Sequence, residues 1–220
     1  MRFDLVIFDL DGTLVDSSPD IRNAINHVLR PFGVRPVSIE ETRELVGEGA
    51  TRLMEKIIES RSLPVAASDL LPSFLAYYGE HLLDMTTVYP GVVDALNALD
   101  GVRKAVVTNK HDHLSVHALE QLGLARYFDL VVGSETAPAK KPSPLPVLHV
   151  LERLGVSPDR AVIVGDSTYD VEAGKRAGIA AVAVTYGYRP AGLLKNADVL
   201  IHSMSDLPEV LARWEVRSKK

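Results

Sequence analysis

The 220-residue chain carries 24 Lys and Arg against 29 Asp and Glu, for a net charge of −5 and a pI near 5.8, so its balance argues against a nucleic-acid-binding face. It has no cysteine, which excludes disulfides, zinc–thiolate centres, iron–sulfur clusters and thiol catalysis. The length allows one or two domains without covalent staples, and no apolar run approaches the ~18 residues of a membrane span.

In chain order, the first element is the apolar run Leu5-Val6-Ile7-Phe8, too short for a helix and read as a strand buried on both faces. Acids flank it and no small-residue cleavage site follows, so it does not read as a signal peptide; the expectation is a soluble, cytoplasmic protein. Residues 17–84 then show helical patterns and no convincing strand. Ser18-Pro19 reads as an N-cap and first-turn proline, Ser38-Ile39-Glu40-Glu41 as a capping box, and two further helices are expected over 50–61 and 68–83. Tyr89-Pro90-Gly91 marks the return to strand–helix alternation. Strands are expected at Ala105-Val106-Val107, Leu130-Val131-Val132, Ala161-Val162-Ile163-Val164, Ala181-Val182-Ala183-Val184 and Val199-Leu200-Ile201. Amphipathic stretches at 114–122, 144–154 and 171–177 lie between them, each followed by a glycine suited to a C-cap. Trp214 is expected to pack the last helix onto the sheet, and residues 217–220 to form a frayed basic tail. The alternation predicts an α/β doubly wound parallel sheet, with a helical unit over 16–85 inserted between core segments 1–15 and 86–220.

Four polar clusters each fall just after an expected strand, where open α/β sheets bind ligands. Asp9-Leu10-Asp11-Gly12-Thr13 places two carboxylates one residue apart, a repulsive arrangement unless a cation or hydrogen bonds compensate it. Thr108-Asn109-Lys110 ends a strand in a hydroxyl, an amide and a cation, groups able to hold a phosphate. Lys140-Lys141-Pro142-Ser143-Pro144 fixes a lysine before a proline-stiffened turn. Gly165-Asp166-Ser167-Thr168-Tyr169-Asp170 brings two more acids, with a glycine that permits close approach. Each cluster alone reads more readily as turn or loop chemistry; their joint order and spacing do not.

In that order the motifs resemble the haloacid dehalogenase superfamily of aspartyl-phosphate phosphohydrolases over essentially the whole chain, with a flavour most similar to the phosphoglycolate phosphatases. The resemblance implies a Rossmann-like core and a small helical cap. It also implies one Mg²⁺, held by the carboxylates of Asp9 and Asp166 and the backbone carbonyl of Asp11, with Asp170 in the metal shell or orienting it. Asp9 would be the nucleophile and Asp11 the general acid and base; Thr108 would bind the phosphoryl oxygens beside Asn109, and Lys141 would neutralise charge.

The implied substrate is a small phosphorylated metabolite, with 2-phosphoglycolate the best single choice. Alternatives within the same chemistry are pyrophosphate, sugar or nucleotide phosphates, and a β-phosphoglucomutase-like isomerisation. Val46-Gly47-Glu48-Gly49-Ala50 is read as the cap loop facing the site, and Arg52 as a candidate partner for a substrate anion. His113 and His117 lie four apart on one helical face with no third ligand in view, and read as ordinary helix residues with Asp112 as a cap. The amphipathic 68–83 stretch would serve a monomer or a homodimer.

Overall fold

The computed structural model describes residues 2–214, so the tail at 217–220 lies outside the described residues. Six parallel strands form the central sheet in the order β5-β4-β1-β6-β7-β8. They are β1 (Leu5–Phe8), β4 (Arg103–Val107), β5 (Leu130–Val132), β6 (Ala161–Gly165), β7 (Ala180–Val184) and β8 (Val199–Ile201). β1 is central and pairs in register with β4 on one side (Phe8 beside Val106) and β6 on the other (Phe8 beside Val164).

Strand alternation explains why the runs are apolar throughout. Val6, Phe8, Val106, Val162 and Val164 face one side, where they pack against α5 (Val92–Ala98), α6 (Asp112–Gln121) and α9 (Leu207–Ala212). Leu5, Ile7, Ala105, Val107 and Ile163 face the other, against α7 (Leu145–Leu154) and α8 (Thr168–Arg176). With both faces covered, every second residue still has a dry partner, and each fully buried large side chain contributes about 1.5–3 kcal/mol. Trp214 packs edge-on against Phe3 at the base of the first face, ring centroids 5.2 Å apart.

The helical unit comprises α1 (Ser18–Leu29), α2 (Ile39–Leu45), α3 (Ala50–Arg61) and α4 (Ala67–Glu80) around their own apolar core, into which Leu114 and Ala118 of α6 also project. Its two connections form an element absent from the sequence reading, the two-residue antiparallel ribbon β2 (Val15–Asp16) and β3 (Thr87–Val88). Buried Asp20 fixes the return strand, its carboxylate accepting from the N–H groups of Met85 and Thr86 and from the Thr86 hydroxyl.

Local starts and stops differ from expectation in instructive ways. α1 is capped at Ser17 rather than Ser18, and Ser17 makes no capping bond because its hydroxyl donates to Asp11 at 2.6 Å. Ser38 does cap α2, accepting from the Glu41 N–H. α4 stops at Glu80 rather than 83, where the His81 ring pairs with Asp84 at 2.7 Å in the following turn. Asp112 opens α6 instead of capping it, and its carboxylate accepts from the Glu135 N–H and the Thr136 hydroxyl. Among the described residues no helix is long and apolar enough to cross a membrane.

Candidate active site

The carboxyl ends of β1, β4 and β6 are adjacent, so the polar residues that follow them converge. Asp9 continues β1 by donating its N–H to Val164 at 2.9 Å. The chain then folds into a tight turn around the Leu10 carbonyl, which accepts from the N–H groups of Leu14 and Val15, while the Leu10 and Leu14 side chains anchor it in the core. Gly12 sits in this turn at φ +90°, and its missing Cβ is what lets Asp166 approach; a Cβ there would overlap the Asp166 carboxylate. Gly187, after β7, leaves the same kind of space on the other side of Asp166.

Asp9, Asp166 and Asp170 bring carboxylate oxygens within 4.8 Å of one another. Asp166 accepts from the Tyr188 N–H at 2.6 Å. Asp170, in the first turn of α8, accepts from the N–H and hydroxyl of Ser167 with one oxygen, at 3.1 and 2.6 Å, and from Lys141 with the other. The Lys141 ammonium lies between two acids, 2.8 Å from Asp9 and 2.5 Å from Asp170, and donates to the Val107 carbonyl at 2.6 Å.

Burial, then the charges of Asp170 and Asp166, hold the Asp9 carboxyl well above the usual carboxylate range against the pull of Lys141. Burial and Asp170 push Asp166 up to about 7. Burial opposes the charge on Lys141, yet Asp170 and Asp9 hold its ammonium above the ordinary lysine value. Three buried acids facing one ammonium leave uncompensated negative charge, and all the donors are hard oxygens. A small divalent cation of the Mg²⁺ type fits that set.

Asp11 points elsewhere. Its carboxylate accepts from Ser17 and from the Lys110 ammonium, 3.0 Å away, apart from the three-acid cluster. Thr108 is buried at the end of β4 and lines the same cavity as Asp9. Asn109 is also buried, but its polar atoms are engaged: Oδ1 accepts from the Lys141 N–H at 2.9 Å, and Nδ2 donates to the carbonyls of Lys141 and Gly47 at 3.0 and 2.8 Å. It holds Lys141 and the helical unit's 46–49 loop in place rather than facing the cavity with free donors.

Arg52 needs correction. Its guanidinium pairs with Glu55 at 2.9 Å and Glu59 at 3.4 Å on the exposed side of α3, and it does not line the cavity. Helical geometry explains this, since acids three and seven residues further on share its face. The cations that do line the cavity are Lys141 on its floor, Lys110 and Arg189. Arg189 donates to the Arg43 and Val46 carbonyls, joining the loop after β7 to the end of α2. Tyr78 of α4 reaches the Lys110 ammonium, and its own hydroxyl is held at about 12, by burial foremost. The Lys110 signal was present in the strand-end triplet; that of Arg189 lay in Tyr186-Gly187-Tyr188-Arg189 after a buried strand. Nothing local distinguishes Tyr78 from other helix aromatics.

The cavity thus has a polar floor at the strand ends and a roof of Gly47, Leu53, Phe74 and Tyr78 from the helical unit. Comparison with known proteins gives this arrangement a family. Residues 6–184 match the model of haloacid dehalogenase-like hydrolases. The chain belongs to that family. Among the haloacid dehalogenase-like hydrolases it is similar to a phosphoglycolate phosphatase of Chromobacterium violaceum, 43% identical over 94% of this chain and 95% of the relative. It is also similar to one of Neisseria meningitidis, 38% identical over 98% and 95%. The crystal structure of a predicted phosphoglycolate phosphatase from Haemophilus somnus superposes with a TM-score of 0.90 at 30% identity, covering 96% of this chain and 99% of that one.

Proposed function

We propose that this hydrolase is a Mg²⁺-dependent phosphatase of small phosphate monoesters, acting through an aspartyl-phosphate on Asp9, with 2-phosphoglycolate as its substrate. The observation that carries the reading is the convergence of Asp9, Asp166 and Asp170 around Lys141 on the floor of a roofed cavity. The named relatives support the choice of substrate. Asp9 and Asp166 would hold Mg²⁺ with the Asp11 carbonyl, while Asp170 orients the shell and Lys141. Bound there, the ion supplies the positive charge that lets an anionic phosphate meet a carboxylate.

In this reading an Asp9 oxygen attacks phosphorus as the bond to the substrate's ester oxygen breaks, and Asp11 gives that leaving oxygen a proton. Asp11, held by Ser17 and Lys110, then takes a proton from water as the water oxygen attacks phosphorus and Asp9 leaves with its carboxylate restored. Thr108 and neighbouring N–H groups bind phosphoryl oxygens, and Lys141 balances the charge gathering on them. The helical unit over 16–85 acts as the cap that limits substrate size. Arg189 and Lys110, rather than Arg52, are the cations placed to meet a substrate carboxylate.

Phosphate release with and without Mg²⁺ from 2-phosphoglycolate, pyrophosphate, β-glucose 1-phosphate and nucleoside monophosphates tests the proposal, with Asp9→Asn as control. The expected result is Mg²⁺-dependent release dominated by 2-phosphoglycolate and abolished in the variant. Preference for another panel member would overturn the substrate; full activity of Asp9→Asn would overturn the nucleophile.

A further inference from the structure

Where His111 lines the cavity lies a second group of metal-ligating side chains, chemically unlike the floor. His111 caps α6 and lines the cavity; His113 is in the first turn of that helix, and Glu135 lies in the loop after β5. Their ligand atoms all lie within 4.8 Å of one another, and His111 Nδ1 is 3.2 Å from Glu135 Oε1. The two segments are stitched together independently of that contact. The Asp112 carboxylate accepts from the Glu135 N–H at 3.2 Å and from the Thr136 hydroxyl, while the Asp112 N–H donates to Glu135 Oε2 at 3.2 Å. Gly133 leaves the space that Asp112 fills. One Glu135 oxygen is therefore oriented by the main chain and the other is turned toward the imidazoles.

We propose that His111, His113 and Glu135 form a three-ligand site for a borderline transition-metal dication, Zn²⁺ being the probe of choice, beside the cavity at His111. Two imidazoles and a carboxylate are the donors such ions prefer, and three protein ligands leave a coordination position for water. Mg²⁺, which favours oxygen ligands, is a poor competitor there, so the two clusters discriminate between ion classes. A tetrahedral Zn²⁺ site spaces its ligand atoms about 3.3 Å apart. His111 and Glu135 already stand near that spacing, and the exposed His113 ring needs only a side-chain adjustment.

The test titrates the full chain with Zn²⁺ against a chromophoric chelator, with millimolar Mg²⁺ present throughout. The wild type is expected to bind one Zn²⁺ equivalent; His113→Ala and Glu135→Gln are expected to weaken it at least about ten-fold, as lost ligands do. His117→Ala and Asp166→Asn should leave that equivalent in place, the first excluding the His113–His117 helix pair and the second excluding the carboxylate floor. Thermal unfolding without zinc shows whether each variant is folded, and added Zn²⁺ should raise the Tm of the wild type but not of His113→Ala. No Zn²⁺ equivalent in the presence of Mg²⁺, one that survives His113→Ala, or one lost with Asp166→Asn would overturn the proposal.

Discussion

Replacing Lys141 with methionine keeps the aliphatic stem but removes the ammonium that sits among three buried acids. The Lys141 side chain is 2% exposed, and its partners Asp9 and Asp170 are 13% and 1% exposed, so water screens the cluster poorly. Removing one partner from a buried ion pair costs about 3–5 kcal/mol because the other charge is left uncompensated. For a chain of this size each kcal/mol lowers Tm by about 2–4 °C, which predicts a fall of about 6–20 °C in EDTA. The deficit should shrink in saturating Mg²⁺, since a dication faces the same carboxylates. Turnover should fall further than stability explains, by about 10²–10³-fold, because preorganised positive charge is lost where the phosphoryl group gathers negative charge. Thermal unfolding in EDTA and in Mg²⁺, with phosphate release in Mg²⁺, reads all three quantities. A variant within about 2 °C of wild type in EDTA, or with the same deficit in both conditions, would refute the view that Lys141 and the metal share one cluster of acids.

Gly12→Ala should abolish Mg²⁺-induced stabilisation and lower turnover at least about 100-fold, since its Cβ would overlap the Asp166 carboxylate and its φ of +90° is strained for alanine; a normal Mg²⁺ titration in calorimetry would contradict this. Asp166 is raised from 3.8 to about 7, chiefly by burial and then by Asp170. A raised carboxylate pKa means the native chain keeps a proton that the unfolded chain releases, so this contribution to metal-free stability is present below about pH 4 and is lost as pH rises toward 7. Mg²⁺ competes with that proton, so its Tm increment should be larger at pH 8 than at pH 5.5, and equal increments would refute the linkage. Arg189→Met should raise KM for an anionic substrate at least about ten-fold, because the guanidinium lines the cavity as a cation placed to meet a carboxylate. A fall in kcat with KM unchanged would instead place it in the chemistry.

The floor of the site was legible in the sequence because its signals are local. A buried strand run followed at once by a carboxylate or hydroxyl places Asp9, Thr108 and Asp166 at strand ends whatever the rest of the chain does. The parallel order of those strands then forces the three ends together. The roof was not legible in that way. Arg52 follows a glycine-rich loop and carries the right charge, but the acids at 55 and 59 share its helix face and claim it. Lys110 was already marked by its strand-end triplet, whereas Arg189 becomes visible only once β7 is seen to end beneath the helical unit. The β2–β3 ribbon escaped notice because two residues are too few to show a period of two; its pairing joins Val15 to Val88 across the whole inserted unit.

The same geometry shows how the helical unit would influence the chemistry without contributing to the three-acid cluster. Side chains of the core, Asn109 and Arg189, donate to main-chain carbonyls at Arg43, Val46 and Gly47. Asn109 also fixes the main chain of Lys141, whose ammonium sits against Asp9. The 46–49 loop is therefore one bond removed from the lysine that balances the proposed nucleophile. Main-chain acceptors leave these contacts indifferent to which side chains decorate the loop, so the inner surface of the roof is free to fit a substrate while the closed arrangement persists. Asn109→Ala separates the two roles. It leaves every acid of the cluster in place, yet should lower turnover about ten-fold or more and weaken the Tm response to Mg²⁺, because Lys141 loses its anchor. If Asn109→Ala instead raised KM alone, the amide would be serving the roof and not the lysine.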